Sequence, residues 1–75
     1  MKEKIMKVLE SFNEEIVEDT ARNLFDAEIL DSFGIVELVI ELEDAFNIVI
    51  DVDLVTPENF GTADSIVKLV ESLVA

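Results

Sequence analysis

The sequence predicts an all-α fold, a small bundle of three long helices and one short helix, from three observations. Apolar residues recur with a helical period in three separate stretches. The segment NIVIDVDLV resembles a strand but has no partner strand in the chain. The segment TPENFG carries the start and stop signals of a one-turn helix. With 75 residues, we expect one domain over residues 1–75.

The first helix is expected from Lys2 to about Val17. Its apolar side chains recur at i, i+3, i+4, i+7 and i+11, which places them on one face. They are Ile5, Val8, Leu9, Phe12 and Ile16. The period is lost from Glu18 to Asp31, where we expect a long connection held by its own apolar side chains. Those anchors are Leu24, Phe25, Ile29 and Leu30.

The second long helix, from Asp31 to about Phe46, has two apolar faces. The core face is expected to hold Ile35, Leu38, Val39, Leu42, Ala45 and Phe46. The second face adjoins Ser32 and holds Phe33, Val36 and Ile40, with Glu37, Glu41 and Asp44 beyond it. A bundle helix needs only one apolar face, so a second one rimmed by carboxylates is typical of a docking surface. The alternative is that the long first loop or the final helix covers this stripe.

The remaining elements follow from local signals. Residues 47–55 predict an extended, partly buried loop. Thr56 is expected to cap a short helix that has Pro57 at its first position and Gly61 at its end. Thr62 then caps a last helix, whose apolar face contains Ile66, Leu69, Val70, Leu73 and Val74.

The composition excludes several classes of function. The chain has no Cys and no His, which excludes thiol chemistry, nucleophilic triads and histidine-based metal sites. The lack of Cys fits a reducing cytoplasm. No apolar run exceeds three residues, and the N-terminal stretch lacks the features of a signal peptide, so we expect no membrane insertion. We expect a protein that is not an enzyme.

Negative charge dominates the sequence. The formal net charge is −13, and eleven Asp and Glu lie between Asn23 and Val67, where no Lys or Arg occurs. Such a surface repels nucleic acid and attracts basic proteins, although it also simply keeps a small protein soluble. A calcium loop at DVDLVTPENFGT is excluded, because Val55, Thr56 and Thr62 occupy its fifth, sixth and twelfth positions. We therefore expect no metal site of that kind.

Ser32 is the most informative single residue. Asp31 can cap the helix alone, which leaves the Ser32 hydroxyl free to point outward. A helix N-terminus favours an attached phosphate, since it presents unpaired N–H groups and the positive end of the dipole. Gly34 costs the helix about 1 kcal/mol relative to Ala, which has a reason if a bulky group passes close to the backbone. Spacing alone leaves a cap and a modification site equally open.

The stretch ILDSFGIVELVIELEDAF resembles the phosphopantetheine attachment region of acyl carrier proteins. Its DSxGxVEL pattern is similar to that of D-alanyl carrier and related stand-alone carrier proteins. Length, acidity, helix order, long first loop and short third helix extend the resemblance over the whole chain. It implies a four-helix bundle of acyl-carrier-protein type.

Carried over to this chain, the resemblance implies that 4′-phosphopantetheine from coenzyme A is attached to Ser32, beside Asp31 and Gly34. The matching partner-binding positions are Phe33, Val36, Glu37, Ile40, Glu41 and Asp44. Two residues depart from the family pattern. Phe33 replaces the more usual Leu or Met, and Glu28 stands where Gly is common.

The implied function is to carry acyl or aminoacyl groups as thioesters to partner enzymes. The implied partners are a phosphopantetheinyl transferase and the loading and acceptor enzymes, with basic docking patches, and the implied protein is a cytoplasmic monomer. The cargo stays open among fatty-acyl chains, D-alanine or another amino acid for cell-envelope or peptide chemistry, and intermediates of secondary metabolism. The alternative is an unmodified acidic helical adaptor that binds basic partner proteins.

Overall fold

Five helices and one 3₁₀ turn pack around a single core in the computed structural model, which describes residues 2–74. The helices are α1 (Lys2–Phe12), α2 (Glu15–Glu18), α3 (Ser32–Phe46), α4 (Pro57–Phe60) and α5 (Ala63–Val74), and the 3₁₀ turn is Val52–Leu54. No strand occurs among the described residues. The predicted all-α bundle with three long helices is confirmed, while residues 1 and 75 of the predicted domain lie outside the described part of the chain.

The first helix is shorter than the sequence predicts. It ends at Phe12, and a separate one-turn helix, α2, follows. The break occurs because the Asn13 side chain accepts a hydrogen bond from the backbone N–H of Glu15 at 3.0 Å, an alternative that competes with the continuous helix. Ile16 nevertheless stays fully buried. The prediction of one helix to Val17 is therefore wrong for the backbone and right for the face that enters the core.

The core is built from the apolar stripes of the three long helices together with side chains of α2, α4 and the connections, and α1 packs against both α3 and α5. Its buried side chains are Ile5, Leu9, Ile16, Leu24, Leu30, Leu38, Leu42, Ile50, Phe60, Ala63, Ile66, Val67, Leu69 and Val70. One predicted core residue, Ala45, is exposed. It lies at the edge of the core face of α3, on the side of the exposed Glu41, where no other element covers it.

The long connection before α3 is fastened to the rest of the bundle. Leu24 and Leu30 are buried, as the sequence predicts. The backbone N–H of Leu24 donates to the carbonyl of Gly61 at 2.7 Å, which joins this loop to the end of α4. Close to α3, Glu28 has a left-handed backbone with φ 61°, a conformation that glycine adopts at no steric cost.

The short helix α4 begins and ends as predicted. The Thr56 hydroxyl accepts from the N–H of Asn59 at 3.2 Å, and Pro57 occupies the first helical position. At Gly61 a Cβ would clash with the carbonyl oxygen of Pro57, so this close turn needs glycine. Thr62 caps α5 by accepting from the N–H of Ser65 at 3.1 Å.

Within residues 2–74, each helix is too short or too polar to cross a bilayer.

The segment between α3 and α4 is fixed against α3 by a carboxylate. Asn47 ends the helix with a left-handed backbone, φ 54°, and the Glu43 carboxylate accepts from the N–H of Ile50 at 2.8 Å. The Ile50 side chain is buried. The segment is therefore an ordered connection that closes back on the helix before the 3₁₀ turn begins.

Candidate functional site

Asp31 caps α3, as the sequence predicts. Its Oδ1 accepts hydrogen bonds from the N–H of Phe33 at 3.1 Å and from the N–H of Gly34 at 2.7 Å. Two of the four N–H groups that an α-helix leaves unpaired at its start are satisfied in this way. Ser32 is then the first helical residue and is exposed.

The Ser32 hydroxyl is free for chemistry. Among the hydrogen bonds formed by residues 2–74, none involves this hydroxyl, because Asp31 performs the capping. An ester formed there would enter solvent and would displace neither a core side chain nor a hydrogen bond. The positive end of the α3 dipole also favours an added phosphate charge. The local structure therefore fits a phosphate-linked group on Ser32.

Gly34 has a structural reason of its own. A Cβ on this residue would lie 3.3 Å from Oδ1 of Asp31 and 3.8 Å from Cδ2 of Leu30. The first contact is tight, so an alanine here would press on the carboxylate that caps the helix. Glycine thus makes room for the cap, and close passage of an attached group by Gly34 stays a prediction.

The second apolar face of α3 is open to solvent. Phe33 is 77 %, Val36 56 % and Ile40 52 % exposed, so neither the first loop nor the final helix covers them. The covering alternative is wrong. The neighbouring carboxylates are exposed as well, namely those of Glu37, Glu41 and Asp44. The structure therefore presents every predicted partner-binding residue at the surface, and their role in binding stays a prediction.

Two further apolar residues, which the sequence analysis did not assign to a surface, extend this face. Val49 is 81 % and Val52 80 % exposed, more than any of the three on α3. Both flank the buried Ile50, whose backbone is bonded to Glu43. The alternation in NIVIDVDLV could have found Val49, because it places Ile50 inward and Val49 outward. It would have placed Val52 inward with Ile50, and Val52 is exposed because the 3₁₀ turn begins at this residue.

These residues form two adjoining depressions. An apolar groove of about 220 Å³ runs between α3 and the segment after it, and is lined by Val36, Val39, Ile40, Ile50, Val52 and Val55. A polar depression of about 410 Å³ lies between the end of α1 and α3, and is lined by Ser11, Phe12, Glu37, Ile40 and Glu41. Ile40 is the wall that both share. Phe33 and Asp44 line neither.

Charge is divided unevenly over the molecule. The exposed Lys2, Lys4 and Lys7 lie on α1, whereas residues 23–67 contain no Lys or Arg. The surface around Ser32 and the apolar groove is therefore anionic, and it attracts basic groups. The polar depression has carboxylates on its α3 side, and its other side is the end of α1, one turn after Lys7.

Comparison with known proteins yields two kinds of match. The family model described as "Phosphopantetheine attachment site" matches residues 2–71. The D-alanyl carrier protein of Streptococcus suis (strain 05ZYH33) is 42 % identical over 74 residues, which are 97 % of this chain and 94 % of the relative. That of Streptococcus mutans serotype c is 35 % identical with the same coverage. That of Streptococcus pyogenes serotype M5 is 42 % identical over 83 % of this chain and 78 % of its own.

Proposed function

The chain belongs to the family of carrier proteins that bear covalently attached 4′-phosphopantetheine, and we propose that Ser32 is the residue of attachment. Members of this family are carriers and not catalysts. The observation that carries the proposal is the exposed, unbonded Ser32 hydroxyl at the start of α3, beside a capping Asp31. The proposed carrier domain occupies residues 1–75.

Each residue around Ser32 has a defined task in this proposal. Ser32 supplies the oxygen that forms the new bond to phosphorus, while a phosphopantetheinyl transferase removes the hydroxyl proton and coenzyme A loses its adenosine bisphosphate. Asp31 caps the start of α3, so the Ser32 hydroxyl is not needed for the cap. When attached, the group supplies a terminal thiol that holds an acyl or aminoacyl cargo as a thioester. Tethering raises the effective concentration of the cargo at each partner's site.

We propose D-alanine as the cargo. Three relatives that match this chain over most of its length are D-alanyl carrier proteins, and the DSFG stretch is similar to their pattern. An aminoacyl group is small and needs no internal cavity. The apolar groove of about 220 Å³ lies at the surface, beside fully buried Leu38 and Leu42. This packing accommodates an aminoacyl group without rearrangement, and the choice of D-alanine rests on the relatives.

The proposed partners are the transferase, an adenylating enzyme that loads D-alanine, and an acceptor enzyme. Each has to approach Ser32 across an anionic surface, so each is expected to use a basic docking patch around an apolar centre. Their affinities should be modest and should fall with salt, because the carrier leaves each enzyme after transfer. We propose that the protein acts as a monomer in the cytoplasm, where coenzyme A is available.

Mass spectrometry tests the attachment. The purified chain is incubated with coenzyme A, Mg²⁺ and a phosphopantetheinyl transferase, and we expect a mass increase of about 340 Da. The Ser32→Ala variant should gain nothing, while Ser72→Ala, a change at another exposed helical serine, should behave as the unchanged protein. An unchanged mass with several transferases of broad specificity would contradict the proposal and favour an unmodified acidic adaptor.

The cargo is tested on the modified protein. Incubation with ATP and a D-alanine-adenylating enzyme should add about 71 Da, and hydroxylamine should remove it because it cleaves thioesters. The same protein is offered L-alanine and fatty acids with the corresponding activating enzymes. Efficient loading of a fatty acid but not of D-alanine would reject the proposed cargo and leave the attachment to Ser32 intact.

A further inference from the structure

We propose that Asp31 prevents the phosphodiester of the attached group from bonding to the start of α3, so that the group stays free to turn about Ser32. Asp31 is then a positioning residue in addition to a helix cap. This inference rests on the proposed modification of Ser32. It concerns the modified chain alone, before any partner enzyme is bound.

The start of α3 offers few N–H groups to a phosphate. Three N–H groups of α3 come before its first internal hydrogen bond, which joins the N–H of Ile35 to the carbonyl of Asp31 at 2.9 Å. They belong to Ser32, Phe33 and Gly34. Oδ1 of Asp31 accepts from the second and the third, at 3.1 Å and 2.7 Å. A phosphate on Ser32 would need these same donors, and two of the three are taken before modification.

The carboxylate of Asp31 competes for these donors better than the phosphodiester. It reaches them across a single CH₂ group, whereas a phosphate on the Ser32 oxygen would have to order a longer linkage with more rotatable bonds. Both groups are negatively charged, so the carboxylate also repels a phosphate that approaches the N–H groups. The dipole of α3 attracts the phosphate to this end of the helix without fixing it in one hydrogen-bonded position.

Gly34 secures the position of the carboxylate. A Cβ at this residue would lie 3.3 Å from Oδ1 of Asp31, so a larger side chain would press the carboxylate away. The bond from the Gly34 N–H is also the shorter of the two that Oδ1 accepts. Ser32 itself is exposed, so a phosphate that is not bonded to the helix lies in water. Gly34 therefore strengthens Asp31 in this competition.

A free phosphodiester matters for the carrier function. A phosphate bonded to the helix would hold the first bonds of the attached group in one direction. With the donors occupied by Asp31, rotation about the bonds of the Ser32 side chain and its ester remains available. The tethered thiol then reaches a larger volume, and its cargo can be offered to enzymes that bind the carrier in different orientations.

Thermal melting of modified and unmodified chains tests the competition. Chains with and without 4′-phosphopantetheine on Ser32 are made by chemical synthesis, so the comparison does not depend on a transferase. In Asp31→Ala the phosphate can bond to the vacated N–H groups, and modification should raise the Tm by about 3 °C more than in the unchanged sequence. Asp44→Ala removes an exposed carboxylate of the same helix that forms no cap, and it should respond as the unchanged sequence does. Equal responses of the two alanine variants would overturn the inference.

Asp31→Asn separates occupation of the donors from charge repulsion. The asparagine carbonyl oxygen can cap the helix without carrying a charge. Modification should therefore change the Tm of this variant to within about 1 °C of the change in the unchanged sequence. A response equal to that of Asp31→Ala would overturn the inference, because repulsion alone would then explain the effect. Circular dichroism first establishes that each variant is folded.

Amide proton shifts give a second readout, which needs no variant. In synthetic chains labelled with ¹⁵N at Phe33 and Gly34, modification of the unchanged sequence should leave both N–H groups bonded to Asp31, with small shifts. In Asp31→Ala the same signals should move downfield on modification, because they gain a charged acceptor. An equally large movement in the unchanged sequence would overturn the inference. A transferase that left Ser32 unmodified would contradict the proposed attachment without altering these results, so the two failures are distinguishable.

Discussion

The two faces of α3 carry the same kind of side chain in opposite surroundings. Leu38 and Leu42 are fully buried, whereas Val36 and Ile40, two residues before each of them, are more than half exposed. The helix needs the first pair to join the bundle, since one apolar stripe is enough for packing. The second pair contributes little to folding and stands in a row with Ser32. Apolar residues therefore lie in two distinct surroundings within fifteen residues.

The largest expected effect is a difference in the free energy of unfolding between variants of the two faces of α3. Leu42→Ala removes a fully buried side chain and should lower the free energy of unfolding by about 2–5 kcal/mol. Ile40→Ala, two positions away, should change it by less than about 1 kcal/mol. Urea unfolding followed by circular dichroism measures both. Similar losses for the two variants would show that the exposed face also holds the fold together.

The cap at the start of α3 gives an intermediate effect. Asp31→Ala leaves the N–H groups of Phe33 and Gly34 without their acceptor and should cost about 1 kcal/mol of stability. Asp44→Ala is the matched control, because the same change falls on an exposed position of the same helix that forms no cap. Equal free energies of unfolding for the two variants would show that the Asp31 side chain does not stabilise the helix.

The smallest expected effect is an increase in stability, and it concerns the loop that leads into α3. Glu28 has a left-handed backbone that disfavours side chains, so Glu28→Gly should stabilise the protein by about 0.5–1 kcal/mol. Asn47→Gly, at the other end of α3, should gain less, since Asn tolerates this conformation. Thermal melting compares them. Loss of stability in Glu28→Gly would mean that the Glu28 side chain makes a stabilising interaction that outweighs the strain.

Local chemistry made much of the fold predictable. Asp31, Thr56 and Thr62 all cap the helices that the sequence assigned to them, because a cap depends on two or three neighbouring residues. The break after Phe12 was missed because the apolar period continues across it, with Ile16 still in the core. A helical wheel shows the face on which each side chain lies. It cannot show that the backbone N–H of Glu15 bonds to the Asn13 side chain.

The residues of the candidate site were likewise predictable only in part. The wheel separated Phe33, Val36 and Ile40 from the core face, and the structure exposes all three. The contributions of Ser11 and Val52 were not predictable from α3, because they depend on how α1 packs beside it and on the bond between Glu43 and Ile50. Such contacts between elements leave no periodic signal in the chain.

The bond between the Glu43 carboxylate and the backbone of Ile50 has an evolutionary consequence. It holds the segment after α3 through a main-chain N–H, which every residue except proline provides, and through one buried side chain. The exposed side chains at Val49 and Val52 are therefore free to vary without loss of the fold. Substitutions at these two positions can therefore accumulate while the bundle beneath persists, so that surface chemistry and stability evolve on separate residues.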